Sequence, residues 1–182
     1  MAKNATILNL GGKMYNKTLL DRVSIDIGRK IIAQLKKEEL NPIQKEKLPL
    51  MYACVNITTD CVDLVELLLA KGANPNARDK NDATPLMYAI GNSDPQKACR
   101  IIELLLAYQA DINAVDYKGE TALMRAVQPP VRSIAVIKQL LLGGADWKIS
   151  DNNGDTALDL ALKVNNIEAV NLLKNIINKG EL

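Results

Sequence analysis

One apolar phrase stands four times along the chain: KLPLMYAC at residues 47–54, ATPLMYAI at 83–90, ETALMRAV at 120–127 and DTALDLAL at 155–162. Each copy reads as a short buried helix. A longer apolar helix follows each, ending in leucines at Leu67–Leu69, Leu104–Leu106, Leu140–Leu142 and Leu172–Leu173. Three of these are followed by a turn (KGANPNA, YQADINA, GGADWKI) and then an Asp-led hairpin at Asp79, Asp116 and Asp151. The third position of the phrase, Pro49, Pro85, Ala122 and Ala157, recurs at intervals of 36, 37 and 35 residues. A chain patterned in this way predicts stacked copies of one helix–turn–helix unit.

Self-similarity at this period, with a T-P-L-x-x-A phrase, two helices and a turn, resembles the ankyrin repeat over about residues 46–180. Thr84, Thr121 and Thr156 stand where an N-cap hydroxyl accepts from a free amide, and Pro85 stands where its missing N–H costs nothing. Gly119 and Gly154 occupy the hairpin tip, where positive φ is easiest for glycine. Asp82 holds that place in an earlier copy, which predicts a less regular tip there. The chain departs from the family in two ways. From the alanine of the phrase to the first leucine is 11 residues in the last copy (Ala161 to Leu172) but 14, 15 and 14 in the others. The extra residues, in NITTD, GNSDPQ and QPPVRS, are rich in turn formers and read as loops. The family's histidine is replaced by Met51, Met87, Met124 and Asp159, so its hydrogen bonding is absent or rebuilt.

The resemblance implies an all-α ankyrin-repeat solenoid of paired antiparallel helices with β-hairpin or turn tips. Its four repeats lie at about 46–81, 82–118, 119–153 and 154–182. Residues 17–45, with apolar spacing at Ile27, Ile31, Ile32 and Leu35, read as a degenerate N-terminal capping repeat in the same domain. Residues 1–16 read as a loosely structured segment. GGKMYNKT at 11–18 is one residue from a phosphate-binding loop, but Asn16 stands where glycine lets backbone amides converge, so a capping segment is favoured.

At 182 residues, 48% hydrophobic, the chain can bury a sizeable core. Residues 1–47 carry 10 Lys/Arg against 5 Asp/Glu, and residues 48–182 carry 13 against 16, so the basic charge is N-terminal. There is no histidine, which excludes imidazole-based nucleophile systems and histidine metal sites. Three cysteines, Cys54, Cys61 and Cys99, are too few for a four-thiolate zinc site and read as small buried hydrophobes in a reducing compartment. No apolar run is long enough for a membrane span. The expected location is cytoplasmic, or a host cell reached without a cleavable signal peptide. No catalytic residue, metal or cofactor is expected.

In the fold that the resemblance implies, the residue before the alanine of the phrase faces a concave groove. Here that position holds Tyr52, Tyr88, Arg125 and Leu160. Tyrosine and arginine are enriched at binding hot spots, although the rings could instead pad the stack between inner helices. Asn56 and Asn92 lie one turn further on, and Lys80, Asn81, Tyr117, Lys118, Asn152 and Asn153 lie on the tips. These eleven positions are the expected partner-binding residues of a non-catalytic protein–protein interaction scaffold. The partner expected is another protein, with no small-molecule substrate, nucleic acid or membrane; one form of this role is a bacterial effector acting on a host protein. The rival readings are a binder of nucleic acid or of an acidic partner through the basic N-terminus, an element that assembles with its own copies, and an enzyme using carboxylates alone, such as Asp111 with Asp116 or Asp151 with Asp155.

Overall fold

A computed structural model describes residues 7–10, 13–16, 49–55, 61–131 and 133–179. The proposed capping repeat at 17–45 lies outside these residues, as does Asn56. Near the N-terminus, strands β1 (Ile7–Leu10) and β2 (Lys13–Asn16) pair antiparallel, Ile7 opposite Asn16. The near-match to a phosphate loop therefore runs through a paired strand over residues 13–16, where backbone amides alternate in direction instead of converging.

Eight helices among the described residues form four pairs: α1 (Pro49–Val55) with α2 (Cys61–Ala70), α3 (Pro85–Ala89) with α4 (Pro95–Ala107), α5 (Ala122–Val127) with α6 (Ile134–Leu142), and α7 (Ala157–Lys163) with α8 (Ile167–Lys179). The odd-numbered helices make an inner layer, the even-numbered ones an outer layer, and each helix also packs on its counterpart in the next pair. The inner-layer contact is thinnest between α3 and α5. Short inner helices cannot stand alone in water, so tertiary burial holds them. Leu50, Leu86 and Leu123 fill the same place in successive repeats at 1% exposure, while Ala53, Ala89, Ala126 and Ala161 let neighbouring helices approach closely.

The helix starts follow the sequence. Thr84 caps α3 by accepting from Met87 N, Thr121 caps α5 by accepting from Met124 N, and Thr156 caps α7 by accepting from Asp159 N. In place of the missing histidine, Met51 and Met87 are buried as apolar fillers, and Met124, also buried, accepts from Thr121 N through its sulfur at 3.4 Å. In the last repeat Asp159 rebuilds the polar link, its Oδ2 accepting from Thr156 N at 2.9 Å and from Thr156 Oγ1 at 2.6 Å.

Three local expectations change. The tip at Asp82 is as regular as the glycine tips: Asp82 adopts φ 55°, close to Gly119 at 76° and Gly154 at 84°. It donates to Asp79 O at 3.0 Å, as Gly119 does to Asp116 O and Gly154 to Asp151 O at 2.9 Å. Aspartate tolerates the left-handed region better than most side chains, which explains the outcome.

The insert in the second repeat is helix rather than loop. Pro95 starts α4 six residues after Ala89, and Ile167 starts α8 six residues after Ala161, so the added residues form one more turn of α4. Asp94 caps that turn through Gln96 N and Lys97 N. In the third repeat α6 starts eight residues after Ala126, and there the insert is a loop. Most of the first insert lies outside the described residues.

The third leucine triplet is shifted by one residue. Ala73, Ala110 and Ala145 donate to Leu68, Leu105 and Leu140, so Leu140 rather than Leu141 matches the middle leucine of the other repeats. Leu142 then falls on the outer surface at 75% exposure.

Candidate functional site

The tips are built by their leading aspartates. Asp79 Oδ1 accepts from Asn81 N and Ala83 N, Asp116 Oδ1 from Lys118 N and Glu120 N, and Asp151 Oδ1 from Asn153 N and Asp155 N, all at 2.8 or 2.9 Å. All three aspartates are buried. Hydrogen bonds from the Asp155 and Asn153 amides hold Asp151 below the ordinary carboxylate range.

Successive tips are then sewn together. Tyr117 N donates to Asn81 O at 3.1 Å, Asn152 N to Lys118 O at 2.9 Å, and Asn152 Nδ2 to Tyr117 O at 3.1 Å. At the bases of the tips, Asn76 accepts from Asp111 N, Asn113 accepts from Asp146 N, and Arg78 donates to Val115 O in the next repeat. The backbone is fixed while the side chains of Lys80, Asn81, Tyr117, Lys118, Asn152 and Asn153 are exposed. Tyr117 shows 57% of its surface, with the Lys118 ammonium 5.7 Å from the ring centre. Asn153 also reaches back to Asp151 Oδ2 at 3.4 Å.

The inner-helix positions have a second duty. Tyr88 hydroxyl donates to Asp79 Oδ2 at 2.7 Å, and Arg125 Nη2 pairs with Asp116 Oδ2. Each side chain is half-buried and tied to the aspartate nine residues before it. Burial, with the Asp79 carboxylate in contact, pushes the Tyr88 hydroxyl well above its ordinary value. Tyr52 is half-buried on α1, and Leu160 is buried. In the last repeat Lys163 pairs with Asp155, which raises the lysine.

Asn92 does not belong to the surface. It is 6% exposed, donates Nδ2 to Cys54 O at 3.2 Å, and accepts from Asp94 N at 3.1 Å. It joins the second repeat to the end of α1. Asn166 does the same for the last repeat, donating to Val127 O at 3.0 Å. Cys54 and Cys61 are buried and Cys99 half-buried; loss of hydration raises all three thiols.

One feature of the groove was not read from the sequence. The loop Gln128–Val131 closes a cleft of about 250 Å³ against Met87, Ile90 and Gly91, with Glu120 and Arg125 at its polar end. Its signal in the sequence is the pair Pro129–Pro130, which marks a loop and here forms a wall of the groove.

Among the described residues no group of three or more His, Cys, Asp or Glu side chains is placed to hold a metal ion, and no helix is long and apolar enough to cross a membrane. The family model described as ankyrin repeats in three copies matches residues 24–116, 50–151 and 94–181. The chain is also similar to an ankyrin repeat protein of Acanthamoeba polyphaga mimivirus, 38% identical over 129 residues, or 70% of this chain. It spans 12% of the length of that relative.

Proposed function

Since the chain belongs to the ankyrin-repeat family, whose repeats are generally protein–protein interaction modules, we propose that it binds another protein without catalysis, through its tips and concave groove. The observation that carries the reading is the tip row: exposed side chains, including a tyrosine at 57% exposure, stand on backbone hydrogen-bonded from one repeat to the next. Such a surface loses little conformational freedom on binding, and that lost freedom is a main cost of association. Tyr117 supplies area with few rotatable bonds, and Lys80 and Lys118 set a positive sign along the tips. The groove walls, Tyr52, Tyr88 and Arg125, add a half-exposed second surface. Asp116 and Asp151, two of the four aspartates that a carboxylate enzyme would use, already accept from tip amides.

The test is photo-cross-linking in lysate with benzoylphenylalanine in place of Tyr117, beside a chain carrying it in place of Glu103 on the exposed outer helix. The reading expects discrete protein adducts from position 117 that position 103 does not give. Identical adduct patterns from both positions would count against it.

A further inference from the structure

The cleft between α3 and α5 exists because of two local differences between repeats. At the junctions of the first with the second repeat and of the third with the fourth, Asn92 and Asn166 span the gap to the carbonyl at the end of the preceding inner helix. At the junction of the second with the third, the corresponding carbonyl is that of Ile90, and the loop beside it carries Pro129 and Pro130. Proline has no N–H and no polar side chain to make such a bridge. The loop stands off and leaves a hollow of about 250 Å³, below the roughly 300 Å³ at which clefts begin to hold drug-sized ligands and of the order of one large side chain.

The hollow has a defined polarity. Met87, Ile90, Pro129, Pro130 and Val131 give it apolar walls. At its polar end Arg125 Nη2 is committed to Asp116, but Arg125 Nε has no hydrogen-bond partner among the described residues although it is shut off from solvent. It forms an ion pair with Glu120 Oε2 at 3.9 Å, too far for a hydrogen bond. A buried N–H left without an acceptor is costly, so an acceptor brought by a ligand would be favoured. Two charged groups line the hollow, Arg125 and Glu120; Glu120 Oε1 accepts from Gln128 Nε2 at 3.2 Å, and Asp116, the partner of Arg125, is buried outside the lining.

We propose that this cleft takes one large apolar side chain of a partner polypeptide, with a backbone carbonyl beside it accepting from Arg125 Nε and a lysine or arginine next to the anchor meeting Glu120. This rests on the reading that the groove binds protein, and it names the part of the groove that selects the partner. An acidic neighbour would face the Glu120 carboxylate, and a small polar residue would leave the apolar walls unfilled.

A random dodecapeptide library displayed on phage and selected on the full chain is the probe. The proposal expects enriched peptides that share a large apolar residue with a basic neighbour. Val131→Trp, which fills the cleft from its half-buried edge, should weaken them about tenfold or more. Arg125→Lys keeps a cation opposite Asp116 but lacks Nε–H, and should weaken them about threefold or more; Glu103→Gln, on the exposed outer helix, should leave them within about twofold. Thermal melts confirm that each variant is folded, and if Val131→Trp does not fold, Glu120→Lys replaces it, with the same tenfold loss expected for basic peptides. Failure to enrich any peptide, enriched peptides without an apolar anchor, or affinity indifferent to the cleft variants would overturn the proposal. Peptides lost with Tyr117→Ala alone would overturn it while leaving the tips as a binding surface.

Discussion

Asp79 and Asp116 divide their oxygens between two tasks: Oδ1 closes the tip, and Oδ2 holds the side chain that the inner helix sends toward the groove. This coupling makes Tyr88 a residue of stability as well as of the groove surface. Tyr88→Phe removes a hydrogen bond to a charged acceptor and should cost about 2 kcal/mol in urea unfolding. The raised Tyr88 hydroxyl means that its stabilisation is complete below the unfolded value near 10 and is lost as pH climbs through the higher folded value. Ultraviolet titration of the folded chain should therefore show one tyrosine ionising late, and Tyr88→Phe should remove that step. At the acid end the sign reverses. Asp159 is held below its ordinary value by the Thr156 hydroxyl and amide, so its contribution is present above the unfolded value near 4 and is lost as pH falls through the folded one. Asp159→Asn should flatten the acid limb of the stability curve.

Helix by helix, the register decides which leucines matter. Leu105, at 0% exposure, matches Leu68 and Leu140, whereas Leu142 matches surface positions despite standing in a leucine triplet. Leu105→Ala should cost about 2 to 5 kcal/mol and Leu142→Ala within about 0.5 kcal/mol, measured by denaturant unfolding. Asp94→Ala should cost about 1 kcal/mol by uncapping the extended α4. The repeat, the helix pairs, the threonine caps and the inner-layer core were legible in the sequence because each is written in a local phrase that recurs. The leucine slip was not, since Gln139 stands where the other repeats have Leu67 and Leu104, and Leu142 where they have Ala70 and Ala107; the triplet survives in the sequence, and its shift shows only when Ala145 is aligned on its hydrogen bond. The helical insert was missed for a related reason: Asp94–Pro95 is both a turn signal and a helix start. Asn92 looked exposed because its spacing from Tyr88 is one helical turn, yet α3 ends at Ala89 and the chain folds Asn92 inward. The spacing of nine from Asp79 to Tyr88 and from Asp116 to Arg125 stood in the sequence and was the readable sign of the groove ties.

Across the whole molecule, one continuous core runs from Leu50 to Leu173 through every described helix pair, and each pair packs on its neighbours. In such a stack the interfaces between repeats tie the units together, so circular dichroism should show mostly helix melting in one transition, with the Leu105→Ala loss lowering the whole transition. The central claim is that exposed tips on this fixed frame bind a protein. The most direct measurement is calorimetric titration of the protein cross-linked at position 117, purified, against the unmodified chain and Tyr117→Ala, each with its thermal melt. The account predicts binding weakened about tenfold or more by Tyr117→Ala, with the melting temperature unchanged. Equal affinity for both chains at equal melting temperature would contradict it.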